Sequence, residues 1–451
     1  MHKVLPVDRL RWIGIRFLDR NGRTFEFEGE IYRAIYQRKA AHVRGLFETG
    51  LVSRLVERGW LIDTEMTDLE VPGFGLVLRH RRAPFTHATG SYHWTGSLLL
   101  RAAQTYLDLN MELAMHDLCL VDGQGANIAQ IDCCRPVWID FGSIVPLEEP
   151  KTGLATYARF FGNPLKLLGR SSQLGQITRQ LIRGGGIHDH ELASLSLSPE
   201  RALRRGIQRA RGLIERAQLA SGDLRSRRRR ALEMAHGELP SHLPAIATRW
   251  GEYSKKSSLP PGYEQSSPRA RAILEVLKRL RPKQVVDLAC NAGFFSFMAA
   301  RQGAEVLAVD YDEAAVEKLD VFARECREPL SVTSACFDVM REARQHVVLP
   351  QGDLVLALAL THHLSLSQSY PFAHIASVFA RYSRHALVVE FMPNGCGGKK
   401  GAEALPEWYT QDNFLKAFQM HFQRVEIIPY DMGTAAPRTL VVCEGKLDRL
   451  S

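Results

Sequence analysis

The 451-residue chain is as informative for what it lacks as for what it contains. Its apolar stretches fall short of the ~18 to 20 uninterrupted residues that a bilayer crossing requires. The opening MHKVLPVDRLRW has no apolar signal core, so the expected location is the cytoplasm, with no membrane span. Eight cysteines occur without a CxxC pair, and adjacent Cys133 and Cys134 make a poor metal or disulfide unit. Reduced thiols and no metal are therefore expected. No GxGxxG fingerprint follows any apolar run, which argues against a dinucleotide enzyme. The Arg-dense segment from Arg201 to Arg230 lacks aromatic interleaving and any RNA-binding fingerprint. Part of the net charge of +9 sits there. It is expected to be a solvated face of a helical connector, with nucleic-acid or anionic-surface contact as the less favoured alternative.

What is present is a second half of strict alternation. Residues 285–296 read VVDLACNAGFFS, an apolar run ending in an acid, then small residues, then a helix start. Such an order suits a buried parallel strand that turns tightly into a helix at a ligand site. Asp310 follows Asp287 by 23 residues and closes a second run, AEVLAVD, placing an acid where two ribose hydroxyls would be met. Further strands are expected at LSVTSACFD, DLVLALAL and HALVVEF, with a late pair at RVEIIPYD and PRTLVVCEG. Strands alternating with helices imply an α/β, Rossmann-like parallel sheet with ligands outside the strands' carboxyl ends. Asp287, Asp310, Asp338, the Leu360 to His363 cluster and Glu390 would then converge.

The first half has a different grammar. Residues 11–30 suggest a hairpin turning at Asp19 to Gly22, and helical periodicity is expected from IYRAIY through GWLI, with Gly50 between two helices. A strand at GFGLVLRH and a helix from Ser97 to Met115 follow. Asp122, Asn127 five residues on and Asp140 thirteen beyond, in DFG after a turn at Cys133 to Pro136, resemble the protein-kinase catalytic loop and its metal-binding acid. Leu120 stands where that loop carries His, and no Gly-rich phosphate loop or VAIK strand is found; Lys39 and Arg33 are the available cations. A kinase-like scaffold that need not transfer phosphate is expected, with turn and cap chemistry as the plain alternative.

The turn after Asp287 resembles motif I of class I S-adenosylmethionine-dependent methyltransferases. Ala289 and Asn291 replace two of its glycines, and Gly293 is retained. Across residues 10–445 the segments LRHRRAPF, LVDGQGANIAQIDCCRPVWIDFGS, DLACNAGFFS, LALALTHHL, VVEFMP and PRTLVV resemble the bacterial nodulation protein NoeA-like family, in which a kinase-like module precedes a class I methyltransferase domain. The resemblance implies three parts: an α+β kinase-like module at 1–155, a helical Arg-rich connector at 156–245 and a methyltransferase domain at 246–451. It also implies S-adenosyl-L-methionine as cofactor. Asp287, Ala289, Asn291 and Gly293 would hold its methionine end, Asp310 and Tyr311 its ribose, and Cys336 to Val339, including Asp338, together with Leu358 its adenine side. Methyl transfer to oxygen or nitrogen of a small-molecule or glycan acceptor, such as a lipo-oligosaccharide, is the implied function. His362, His363 and Glu390 would supply acid/base chemistry, and Lys399, Lys400, Trp408 and Tyr409 would face the acceptor. Two rivals remain: a bifunctional enzyme with phosphotransfer at Asp122, Asn127 and Asp140, and a non-catalytic polyanion-binding module.

Overall fold

In the computed structural model the described residues are 3–14, 21–86, 89–147, 153–195, 223–248, 267–345, 348–396, 405–430 and 437–447. Lys399, Lys400, Asp19, Arg20 and the stretch 201–222 of the Arg-dense segment lie outside them.

The first half opens with strands β1 (Arg11–Ile13), β2 (Gly22–Phe27) and β3 (Glu30–Tyr36), then helices α1 (Gln37–Glu48) and α2 (Leu51–Glu57), then β4 (Thr64–Met66) and β5 (Phe74–His80). They form one antiparallel sheet in the order β1-β2-β3-β5-β4. One expectation is corrected here. IYRAIY is the central strand β3, not helix, because Ala34 and Ile35 are buried and both its edges are hydrogen-bonded. The expected hairpin forms between β1 and β2, and Asp19 and Arg20 of its connection lie outside the described residues; Gly22 begins β2, and buried Asn21 donates from Nδ2 to the carbonyls of Gly142 and Ile144 at 3.0 and 2.9 Å. A second, tight two-residue turn, Glu28-Gly29, joins β2 to β3, and its φ values of 52° and 85° match the twist of a hairpin.

Helix α3 (Gly96–Met115) runs through the core of this half, where Leu98, Tyr106 and Leu113 are fully buried. A hairpin of β6 (Ile128–Ile131) and β7 (Arg135–Trp138) follows, closed by Asp132, Cys133 and Cys134, all with left-handed φ. Helices α4 (Gly175–Arg183) and α5 (Leu224–Gly237) complete this half. On α5, Arg228 is buried and donates to Asn110 Oδ1 at 2.9 Å, while Arg225 pairs with Asp117. The described part of the Arg run is thus engaged with the protein's own core helix and acids.

The second half is α6 (Pro268–Leu280), β8 (Gln284–Leu288), α7 (Phe294–Arg301), β9 (Glu305–Asp310), α8 (Glu313–Glu325), β10 (Val332–Cys336), α9 (Val339–Arg344), β11 (Gly352–Ala357), α10 (Phe372–Tyr382), β12 (Ser383–Phe391), α11 (Gln411–Gln419), β13 (Phe422–Ile428) and β14 (Thr439–Lys446). One seven-stranded sheet runs β10-β9-β8-β11-β12-β14-β13, parallel except for β14, which is antiparallel to both neighbours. The late pair is therefore a hairpin whose second strand inserts inside its first. Alternation divides the core: Val286 and Leu288 pack toward α10 and α11, whereas Val285 packs toward α6 and α7. Burying each such side chain contributes roughly 1.5–3 kcal/mol, which favours a doubly covered sheet over a one-sided one.

Candidate functional site

Parallel register brings the carboxyl ends of the strands to one edge, with Leu288 beside Val309, Asp310 beside Cys336, and Ala357 beside Val389. From β8 the chain enters the turn Ala289 to Gly293. Ala289, Asn291 and Gly293 all have left-handed φ, at 63°, 51° and 82°. Glycine relaxes such positions, and asparagine tolerates them by local hydrogen bonding; here Asn291 Oδ1 accepts from Ala292 N at 2.8 Å. Gly293 is required on two grounds, since a Cβ there would also lie 2.6 Å from Leu319 Cδ1. The turn is locked to the neighbouring strand, with Cys290 N donating to Val309 O and Asn291 N donating to Asp310 Oδ2 at 2.9 Å.

The two acids behave differently from exposed carboxylates. Burial pushes the Asp287 carboxyl up to about 7, opposed by a 2.6 Å hydrogen bond from Ser296 Oγ and reinforced by the charge of Asp310. Burial raises Asp310 to about 6, against the donation of Asp312 N and Asn291 N. Each Asp310 oxygen accepts an amide, and the Tyr311 amide adds a third donation to the carboxylate. Tyr311 beyond it is 56% exposed. At the next strand end Asp338 caps α9 by accepting from Met340 N and Arg341 N, flanked by buried Cys336 and Val339.

At the end of β11, Leu358 is buried and Ala359 takes φ 52°. Thr361 Oγ1 donates to Glu390 O at 2.6 Å, and a π-helical turn, His363–Ser367, follows. His362 is buried with its Nδ1 lacking a hydrogen-bond partner, and burial, then the charges of His363 and Arg438, lower its pKa to about 3. The rings of His362 and His363 are 3.9 Å apart.

Glu390, expected in acid/base chemistry, is placed otherwise. It has no exposed surface and accepts from Arg269 through both oxygens at 2.6 and 2.7 Å, from Ala359 N at 2.8 Å and from Arg438 at 3.3 Å. Although burial opposes it, these partners hold its pKa below the usual range. Such a carboxylate is built to hold the strand ends together rather than to exchange protons. Tyr409 is likewise buried rather than facing an acceptor, its hydroxyl donating to Met392 O and its ring packed on Phe372 and Phe391. Trp408 beside it is 44% exposed.

In the first half Asn127 Nδ2 donates to Asp122 Oδ2 at 3.2 Å, and Ile139 N donates to Asn127 O, which ties that pair to the strand leading to Asp140. Burial raises the Asp122 carboxyl, tempered by Gln124 and Asn127 and increased by the charge of Asp140. Buried Arg33, on central strand β3, donates to Asp140 Oδ1 at 3.0 Å. Of the two cations available, it is Arg33 that meets the acid; Lys39 lies on α1.

Residues of the two halves interlock beside these sites. Glu313 and Glu317 on α8 accept from Gly96 N and Ser97 N at 3.1 and 3.0 Å, capping α3. Arg101 pairs with Asp320, Arg179 with Glu313, and Arg183 with both oxygens of Glu342. None of these acids was singled out from the sequence, because nothing local marks an acid that pairs across 130 or more positions.

No protein-family profile matches the chain. It is 24% identical over 469 residues, covering 95% of each chain, to nodulation protein NoeA of Rhizobium meliloti (strain 1021). Among solved structures, the bifunctional kinase-methyltransferase WbdD matches 45% of this chain and 44% of its own at 17% identity and a TM-score of 0.31. The chain thus spans under half of WbdD's length. The N-methyltransferase NodS from Bradyrhizobium japonicum WM9, in complex with S-adenosyl-L-homocysteine, matches 44% of this chain and 99% of its own at 12% identity and a TM-score of 0.32. The similarity to NoeA runs the length of the chain, as the sequence resemblance implies.

Proposed function

We propose that the second half is an S-adenosyl-L-methionine-dependent methyltransferase acting on oxygen or nitrogen of a small-molecule or glycan acceptor. One observation carries this reading: a turn with three left-handed residues leaves β8 and is hydrogen-bonded to Asp310 at the tip of β9. The residues fit the cofactor. On this reading Asp310 at the tip of β9 would meet the ribose hydroxyls, Asp338 and buried Leu358 would flank the adenine, and the small side chains of the turn would face the methionine end. When bound, the cofactor supplies an electrophilic methyl on a sulfonium. The protein's own task is then to orient the acceptor and draw one proton off it. His362 and His363 at the end of β11 are the groups proposed for that side, while Glu390 positions them through Thr361 and Ala359.

The Arg33–Asp140 pair favours a scaffolding role for the first half, since the guanidinium occupies the acid that a magnesium ion would need. We read 1–155, 156–245 and 246–451 as module, connector and transferase. Calorimetric titration of the full chain with S-adenosylmethionine and its demethylated product tests the proposal: micromolar binding that Asp310→Ala abolishes supports it, and no binding to the wild type removes it.

A further inference from the structure

Beside the strand ends lies a group of side chains that sequence spacing does not reveal. His362, His363 and Cys396 each bring one ligand atom, a ring nitrogen or the thiol sulfur, to within 4.8 Å of the others, and no other such group occurs among the described residues. His363 Nδ1 and Cys396 Sγ are 3.9 Å apart. Tetrahedral zinc, with Zn–N of ~2.0–2.1 Å and Zn–S of ~2.3 Å, spaces its ligands at roughly 3.4–3.7 Å. Closing the cluster onto an ion therefore needs a contraction of about an ångström, which side-chain rotation supplies.

A second observation is independent of this spacing. His362 is only 5% exposed, yet its Nδ1 makes no hydrogen bond. Buried ring nitrogens are normally satisfied, and an unsatisfied one marks a missing partner.

We propose that His362, His363 and Cys396 bind a zinc ion whose fourth position opens toward the acceptor. Two imidazoles and a thiolate suit a soft divalent ion, and three protein ligands with one open position are the pattern of a reactive rather than a closed structural site. Cys396 is exposed and unpaired in a disulfide, which leaves its sulfur available. The ion's role rests on the methyl-transfer reading, although its binding does not. An acceptor hydroxyl held at the open position is acidified and loses its proton to water. Its lone pair then bonds to the methyl carbon as the carbon–sulfur bond breaks, and that bond's electron pair returns to sulfur. The histidines thus act through the ion rather than as free bases.

The test uses the full chain, stripped with a chelator, dialysed, and titrated with zinc alone and with cobalt(II) alone. One equivalent of zinc is expected, with a thiolate-to-cobalt charge-transfer band. Cys396→Ser and His363→Gln should weaken zinc binding at least tenfold and remove the band, with S-adenosylmethionine affinity unchanged within twofold. Because Cys396 is exposed, its variant keeps the fold. Absence of zinc binding in the wild type, or equal binding by Cys396→Ser, overturns the proposal. Zinc binding without cofactor binding supports the site and removes the methyl-transfer reading, whereas cofactor binding without zinc removes the site alone.

Discussion

Replacing Asp287 with Asn should stabilise the apo protein, and by an amount that grows with pH. Asp287 is fully desolvated, and its carboxyl is raised from 3.8 to about 7. A raised carboxyl binds its proton more tightly in the folded state. Its contribution is therefore complete below the unfolded pKa and is lost as pH rises through the folded one. At 1.36 kcal/mol per unit, the charge costs ~1.7 kcal/mol at pH 5 and ~4 kcal/mol at pH 8. Asn keeps an oxygen to accept from Ser296 Oγ and carries no charge. The gain over wild type should thus increase by ~2.5 kcal/mol between pH 5 and pH 8. Asp310, raised to about 6, retains its own loss of stability across the lower part of that range in both proteins. Urea midpoints at a series of pH values, without cofactor, read the difference directly. A gain that is constant across the series, or that shrinks toward alkaline pH, refutes the assignment of a desolvated charge to this position.

Ala289→Gly should raise the thermal midpoint slightly, since ~1–2 kcal/mol of left-handed strain is relieved against ~0.8 kcal/mol for a lost methyl, and Ala289→Val should lower it markedly. Gly293→Ala should cost at least ~2 kcal/mol and weaken cofactor binding; Leu319→Ala in the same chain should restore part of the affinity but not the backbone cost, as measured by melting and calorimetry. Asp140→Asn should destabilise the first half by ~1–3 kcal/mol, because Arg33 is left buried without its ion pair, yet leave cofactor affinity unchanged. Glu342, held at about 2 by His93 and Arg183 against its own burial, contributes stability present above pH 4.5 that is lost as pH falls through 2. Glu342→Gln should accordingly speed hydrogen exchange in α4 at neutral pH and have a diminishing effect in acid.

The parallel half was legible because its central strands, at 284–288, 305–310 and 352–357, are largely apolar runs set apart by helical stretches, a pattern with few other solutions. β3 was not, since IYRAIYQRKAAHV fits both a strand and a helix face, and what decides is hydrogen bonding to β2 and β5. Asn21 was legible as part of a hairpin connection but not as a tether: its amide donates to the carbonyls of Gly142 and Ile144, 121 and 123 positions away. Glu390 was visible as a strand-end acid, but its partners Arg269 and Arg438 stand 121 and 48 positions off, and it is they that turn a candidate acid into a clamp. Cys396 was hidden for the same reason, being 33 residues from His363 and joined to it only by the fold.

The same long-range pairing decides what the first half does for the second. The Asp310 carboxylate accepts from Asp312 N, Asp312 caps α8, and α8 then delivers Glu313, Glu317 and Asp320 to the N-terminus of α3. Asp320 is completely buried and Glu313 nearly so, and their partners Arg101 and Arg179 come from the other half. Removing one member of such a pair costs ~3–5 kcal/mol because the other charge is left desolvated, so the contact is specified and not a loose tether. It also reaches the strand edge itself: the His93 ring packs 4.7 Å from Phe337, and Gln130 exchanges hydrogen bonds with the backbone of Ser334 on β10. The first half therefore covers the outer edge of the sheet next to Asp338 and braces the helix that follows Asp310. Separated from it, the second half would expose the buried acids Glu313, Asp320 and Glu342 and an open strand edge.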